Sequence, residues 1–379
     1  MKVKVHHAID EIPRLQWNQL VWGNNPFLRH EFLHAMEIHQ CVGEKFGWIP
    51  RHLGVYDDNE LIGAMPLYEK HNSYGEFVFD NAWADAYQRN GIPYYPKLVS
   101  AIPYTPAQGQ RLLVRTGLAQ IEVYQLLLNR ALQLTRQLGC SGFHCLFPVP
   151  VEHKFLSQQM PGRHDCQFHW RNRNYRDFED FISRLNAKKR KNIRQERRRA
   201  ADSGVVIRCL DGYSASEDDW RNFTRFYDQT FREKWGMATF NYEFFREVAA
   251  QMPDQILLVL ADLEEKCIAG ALMYRGDNVL YGRHWGCVEQ IDALHFEVCY
   301  YRGIEYCIDQ GLDLFEPGAQ GEHKMARGFL PTRTQSSHWV VDEHFREPIS
   351  QYIEHERAAV RDYMVQLSAS SPYRREPAE

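Results

Sequence analysis

The sequence predicts an α+β protein made of two similar halves, each a mixed, mainly antiparallel sheet flanked by helices. Three observations predict it. Two distant stretches repeat the order strand, polar turn, strand. Each is followed later by an amphipathic helix that passes through a glycine into a short strand. Nowhere do strand and helix alternate regularly enough for a doubly wound parallel sheet. With 379 residues, 44% of them hydrophobic, the chain holds material for two domains of ordinary size.

The repeat is specific. "HLGVYDDNELIGAMPLYEKHNSYG" (52–75) and "LVLADLEEKCIAGALMYRGDNVLYG" (258–282) share alternating apolar positions around a turn, then Gly-Ala, then Tyr-Gly. Gly63 and Gly270 stand 207 positions apart, and so do Tyr74 and Tyr281. Farther on, "ALQLTRQLGCSGFHCLF" (131–147) and "GIEYCIDQGLDLFEP" (303–317) each read as helix, glycine stop and strand. The first domain is therefore placed at 1–170, with a long aromatic insertion at 79–113. The second is placed at 171–348, the boundary falling near "HWRNRNYRD" (169–177). A C-terminal helix over 349–368 and a disordered tail over 369–379 complete the prediction.

Composition sets limits. Lys and Arg number 45 against 49 Asp and Glu, a formal net charge of −4, which argues against a global polyanion-binding mode but leaves local patches open. No apolar run approaches the roughly 20 residues that span a bilayer, and the N-terminus has no apolar signal segment. Nine cysteines include no CxxC pair, and an odd number argues against a disulfide framework. A cytoplasmic, reduced protein without a membrane span is expected; the oligomeric state is not legible.

Four stretches carry candidate chemistry. "RLNAKKRKNIRQERRRAADSG" (184–204) holds eight Lys or Arg between Lys188 and Arg199 against one acid, Glu196. It reads either as a solvated surface helix or as a helix with a phosphate-bearing partner. The insertion gathers Asp80, Trp83, Asp85, Tyr95 and Lys97 with several further tyrosines and prolines. It suits a groove that stacks on sugar rings or peptide planes, or else a small aromatic core. In "YGRHWGCVEQIDALHFEVCYY" (281–301), Arg283 and His284 close a strand, and Asp292 is placed as N-cap of a helix bearing His295, Glu297 and Cys299. His295 and Cys299 stand at i, i+4, but no second ligand pair accompanies them, so no metal is assigned.

The fourth stretch, "FEPGAQGEHKMARGF" (315–329), is neither helix nor strand. Pro317 stops the strand after Glu316, Gly318 and Gly321 allow a tight loop, and a turn then presents Glu322, His323, Lys324 and Arg327. Polar groups gathered on a glycine-bent loop at a strand end are a common way for α+β enzymes to build a site.

With these motifs placed, the sequence resembles the FemAB-like family of tandem GNAT-fold acyltransferases, in its bacterial branch of peptidoglycan biosynthesis/recognition proteins. The resemblance rests on "NPFLRHEFLHAME", "FDNAWADAY", "YYPKL", "PYTPAQGQRLL", "KKRKNIRQERR", "LYGRHWGC", "LHFEVCYY", "FEPGAQGEHKMARGF" and "SSHW", from Asn25 to Trp339. It implies two GNAT-like (acyl-CoA N-acyltransferase) domains and transfer of an acyl or aminoacyl group to an amine, with a peptidoglycan precursor as one candidate acceptor. One departure stands out. The glycine-rich Q/R-x-x-G-x-G/A loop that holds the coenzyme A pyrophosphate in single-domain GNAT enzymes is missing; "GCVEQIDALHF" occupies its place. Fem-type enzymes use an aminoacyl-tRNA donor, which would give the basic helix 188–199 its partner. The donor stays open between acyl-coenzyme A and aminoacyl-tRNA, and a non-catalytic module that binds a wall precursor is the alternative function.

Acyl transfer to an amine needs a proton acceptor and a donor for the tetrahedral oxyanion. Glu316 or His323 is assigned as base. Arg283, Lys324 and Arg327 are assigned to anionic groups or the oxyanion, with His284 and Glu322 beside them. Asp80, Trp83, Asp85, Tyr95 and Lys97 are assigned to the acceptor groove.

Overall fold

A computed structural model describes residues 1–233, 236–319 and 321–374. The chain divides into two compact units, Met1–Cys166 with Arg333–Tyr363, and Gln167–Thr332 with the described part of Met364–Glu379. Residues 333–348, predicted to belong to the second half, therefore lie in the first.

In the first unit the strands are β1 (Lys2–His6), β2 (Trp48–Pro50), β3 (His52–Asp57), β4 (Glu60–Met65), β5 (Tyr68–Lys70), β6 (Lys97–Ser100), β7 (Leu113–Val114) and β8 (Gly142–Leu146). Strand β9 (Gly162–Arg171) leads into the second unit, which contributes β10 (Val206–Leu210), β11 (Ile256–Leu263), β12 (Lys266–Arg275), β13 (Val279–Cys287) and β14 (Leu314–Glu316). Strand β15 (Leu330–Val340) returns, and its residues Ser336–Val340 pair antiparallel with β8. That pairing is why 333–348 belongs to the first unit.

Among the described residues each unit is mainly antiparallel, with one pair of parallel strands. In the first, β1, β3, β4 and β7 form one sheet, and β6 lies parallel to β8 with Val99 opposite His144. In the second, the order is β10, β11, β12, β13, β14, and β13 and β14 are parallel. Both predicted hairpins form, closing on two-residue turns (Asp57 opposite Glu60, Leu263 opposite Lys266), and both carry a bulge within two residues of Gly63 or Gly270.

The second half of each repeat also matches. Helix Gln120–Gln137 precedes β8, and helix Arg302–Asp309 precedes β14. Each ends on a glycine in the left-handed region, Gly139 (φ 66°) and Gly311 (φ 64°). Behind each, the next amide reaches back to close the last turn: Cys140 N to Thr135 O at 3.0 Å, Leu312 N to Cys307 O at 2.8 Å. The helices pack by apolar stripes; Glu217–Glu233 buries Trp220, Phe223, Phe226 and Tyr227 against β12 and β13.

Two predicted ends differ. The last helix runs Glu343–Ala369 and begins ahead of Pro348 rather than after it; Arg346 in its first turns donates to the carbonyls of Val340 and Val341. Of the tail predicted over 369–379, residues 375–379 lie outside the described residues. Tyr373 is docked in the second unit, its hydroxyl donating to Gly328 O at 2.8 Å, and Arg374 N donates to Arg184 O at 2.9 Å. Among the described residues no helix is long and apolar enough to cross a membrane.

Candidate active site

In the second unit, β13 and β14 run parallel for three residue pairs, Val279 opposite Leu314 through Tyr281 opposite Glu316, and then part. Pro317 has no N–H with which to continue the ladder. On its other edge β13 bulges. Gly282 faces Met273 and His284 faces Leu272, which makes Arg283 the extra residue. Its side chain is buried: Nη1 donates to Gly282 O at 2.8 Å, and Nη2 lies 3.8 Å from Oε2 of the equally buried Glu316.

The chain then bends at Gly318 (φ 95°) and Gly321 (φ 113°), conformations that a side chain would strain, and enters a 3-10 turn, Glu322–Arg327. The turn sends Lys324 inward, where it is 3% exposed. Its Nζ donates to Gly318 O at 2.8 Å and Pro317 O at 3.2 Å, and no carboxylate among the described residues comes within ion-pair distance. Burial, reinforced by the Arg283 charge, pushes its pKa down to about 7.

Glu322 and His323 stay on the surface of the turn. His323 Nε2 meets the Tyr300 hydroxyl at 2.9 Å, and burial followed by the Arg327 and Lys324 charges lowers its pKa. Arg327 is buried. Its Nη1 donates to His323 O at 2.7 Å, its Nη2 donates to Glu196 Oε1 at 2.7 Å, and its guanidinium covers the Phe296 ring at 3.3 Å. His284 packs among Tyr227, Phe240 and Phe245, and burial with Arg283 drives its pKa down to about 3. It serves as a neutral aromatic wall.

The structure thus brings Glu316, Arg283, Lys324, His323 and Arg327 to one loop. It adds residues that the sequence did not single out: Tyr300 and Tyr301, carried on a π-helical turn (Glu297–Tyr301), and Glu196, whose other oxygen takes the Tyr301 hydroxyl. The signal for Glu196 was present, since it is the one acid in the basic run. Asp292 is not an N-cap. Ala293 takes that place with φ 64°, and Asp292 pairs with Arg199 at 3.0 Å.

In the first unit the insertion residues also converge, but inward. Lys97 is fully buried. Its Nζ donates to Glu76 Oε2 at 2.7 Å and also to Asp80, which takes the Tyr94 hydroxyl on the same oxygen. Burial opposes the Lys97 charge, yet Glu76 and Asp80 outweigh it and hold the pKa above the ordinary lysine range. Trp83 and Tyr87, four apart on helix Asn81–Arg89, pack with Tyr94, Phe345, Ile349 and Ile353. The groove predicted from Asp80, Trp83 and Lys97 is therefore a small aromatic core around a buried ion cluster. Tyr95 is half-buried at its edge, and Asp85 lies apart on the exposed face of that helix.

The basic stretch forms helix Ala187–Asp202, capped by Asn186, whose side chain accepts from Lys189 N at 3.0 Å. Arg194 pairs with Glu179, Arg197 with Glu297 and Glu305, and Arg199 with Asp292. Lys188, Lys191 and Arg198 remain exposed. Among the described residues no group of three or more His, Cys, Asp or Glu is arranged to hold a metal ion.

Comparison with known proteins follows this geometry. Residues 8–375 match the FemAB-like family, described as peptidoglycan biosynthesis/recognition, and the chain belongs to it. No curated protein sequence matches. Among solved structures, FemX is 11% identical with a TM-score of 0.53, covering 93% of this chain and 100% of its own. The C-terminal domain of a lysylphosphatidylglycerol synthetase from Agrobacterium fabrum is 6% identical with a TM-score of 0.52, covering 90% and 95%. A conserved protein of unknown function from Bacteroides thetaiotaomicron is 10% identical with a TM-score of 0.51, covering 90% and 100%. At such identities the likeness speaks for fold alone, and that fold is the mixed, mainly antiparallel α+β architecture predicted from sequence.

Proposed function

We propose that this protein transfers an acyl or aminoacyl group to an amine acceptor, with the loop from Glu316 to Arg327 as its reaction centre. The observation that carries the reading is Lys324: a buried ammonium where the parallel strands β13 and β14 part, held by two carbonyls, its pKa pushed down to about 7. Groups whose pKa is moved to the working pH by burial and a like charge gather at reactive sites.

In this reading the acceptor amine attacks the donor carbonyl and negative charge develops on the carbonyl oxygen. Lys324 and Arg283 supply the positive charge that meets it, in a buried setting where such charge acts strongly. His323, neutral at physiological pH because its pKa is lowered, takes the proton from the attacking nitrogen. As the tetrahedral intermediate collapses, the bond from the carbonyl carbon to the donor's ester oxygen or thioester sulfur breaks, and the proton passes to that departing atom. Glu316, buried beside Arg283, orients that guanidinium and is the weaker candidate for base. Arg327 fixes the His323 backbone.

Membership of the FemAB-like family supports a peptidoglycan precursor as acceptor. For the donor, an aminoacyl-tRNA is favoured over acyl-coenzyme A. No glycine occurs from Cys287 to Phe296, so a glycine-rich pyrophosphate nest has little to form from.

The test is mass-spectrometric. Wild type and Lys324→Met are incubated with aminoacyl-tRNAs or acyl-coenzyme A and muropeptide amines, and the acylated product is quantified. The expected result is a wild-type product whose rate falls by roughly 100-fold or more in the variant. Binding of the muropeptide without product from any donor would leave the binding-module reading standing instead, and unchanged turnover in Lys324→Met would remove the loop from the chemistry.

A further inference from the structure

A cavity of about 360 Å³ in the second unit lies among the basic helix, β10 and the π-helical turn with the helix that follows it. Arg197, Arg198, Arg302 and Glu297 form its charged lining, and Val205, Ile207, Ala200 and Ala201 form its apolar lining. None of Glu316, His323, Lys324 or Arg283 borders it.

Its charges are organised. Glu297 receives Arg197 Nη2 at 3.0 Å and lies 2.9 Å from Arg302 Nε; Glu305 receives Arg197 Nη1 at 2.6 Å and lies 3.3 Å from Arg302 Nη1. Two guanidinium groups and two carboxylates thus form a network that is neutral in itself. It uses every nitrogen of the Arg197 guanidinium but leaves Nη2 of Arg302 uncommitted, and Arg198, exposed beside it, makes no ion pair among the described residues. The lining therefore combines surplus positive charge on a braced support with aliphatic side chains.

Planar guanidinium groups match phosphate and carboxylate oxygens, whereas valine, isoleucine and alanine have nothing to offer a polar tail. The volume falls at the lower end of the roughly 300–1,000 Å³ of small-molecule sites. We propose that this cavity binds a small amphiphilic anion: a phosphate monoester or carboxylate carried on a short hydrocarbon chain. A free metabolite and the headgroup end of an anionic lipid share that chemistry.

Octyl phosphate is the probe, titrated into the full chain by calorimetry. Saturable binding is expected, with inorganic phosphate at least about tenfold weaker because it leaves the aliphatic lining residues unused. Arg198→Ala, a change at an exposed residue without an ion pair, should weaken octyl phosphate by about tenfold while leaving the melting temperature unchanged. Ile207→Ser should erase the preference for octyl phosphate over inorganic phosphate. Sedimentation with phosphatidylcholine vesicles, with and without phosphatidylglycerol, separates the sources. Arg198-dependent binding to the anionic vesicles assigns the lipid headgroup; octyl phosphate binding without vesicle binding assigns a free ligand. No binding of octyl phosphate, or equal binding by a folded Arg198→Ala, overturns the proposal.

Discussion

Two lysines, one in each unit, are buried to nearly the same degree and stand in opposite electrostatic settings. Lys97 sits between Glu76 and Asp80 and keeps its proton more tightly than a free lysine. Lys324 sits on backbone carbonyls with Arg283 nearby, and its pKa falls to about 7. Burial disfavours the charge at both. What differs is the sign of the nearest partners, and that sign separates a lysine held by carboxylates from the one proposed here to meet the oxyanion. The same contrast extends to the neighbours. The buried pair His144 and His338 touches through Nδ1 at 2.7 Å inside the first unit, whereas His323, its pKa also lowered, meets the Tyr300 hydroxyl from the surface of its turn.

The largest expected effect falls on Lys97. Lys97→Met would leave Glu76 and Asp80 buried without their cation, which typically costs about 3–5 kcal/mol. Urea denaturation measures it. Neutralising all three together (Lys97→Met, Glu76→Gln, Asp80→Asn) should recover most of the loss, because the penalty comes from the stranded carboxylates. If Lys97→Met alone unfolds at the wild-type urea midpoint, the cluster is not the structural element described here.

At Lys324 the pH dependence of stability should run the other way. Its folded-state pKa lies below the ordinary lysine value of 10.5, so between about pH 7 and that value the unfolded chain binds more protons than the folded one. Stability therefore gains a rising contribution with pH across that window, at most about 1.4 kcal/mol per pH unit. At Lys97 the raised pKa gives a contribution that is present at low pH and lost as pH climbs through the folded value. Subtracting the stability profile of Lys324→Met from that of wild type isolates the first. Lys70, which burial also moves to about 7, is common to both proteins and cancels. A flat difference from pH 7 to 9.5 would mean that Lys324 keeps its proton.

This contrast marks what the sequence made legible. The repeat was readable because hairpins, bulge-adjacent glycines and glycine-capped helices are local features written in consecutive residues; Gly139 and Gly311 perform the same closure in both units. The loop after Glu316 was readable for the same reason, since proline and two glycines declare a bend wherever they occur. Partnerships between distant residues were not readable. Nothing near Lys97 in sequence says that Glu76 and Asp80 fold over it, so an interior cluster looked like a groove. Nothing in "EVCYY" announces a π turn, and the bulge that frees Arg283 appears only when β13 is set against β12.

The smallest effect is expected on the basic helix, and it sharpens the comparison at its weakest end. From composition, Arg194 counts as one of eight cations available to an RNA donor. In the structure it pairs with Glu179, both side chains remaining more than half exposed. A pair held so openly in water contributes little to folding and is screened by salt. Arg194→Ala should therefore leave the urea midpoint of the protein within error of wild type, in contrast to Lys97→Met. Its effect on RNA is the informative part. Each phosphate neutralised on a single strand contributes about −0.7 to the slope of log affinity against log salt. If the helix docks RNA through Lys188, Lys191 and Arg198 alone, the slope measured by filter binding will not change in Arg194→Ala. If the Glu179 pair opens on docking, the slope will become shallower by about 0.7 and the affinity at low salt will fall. A shift in the urea midpoint comparable to that of Lys97→Met would contradict both, because it would mean that an exposed ion pair supports this unit as strongly as a buried one supports the other.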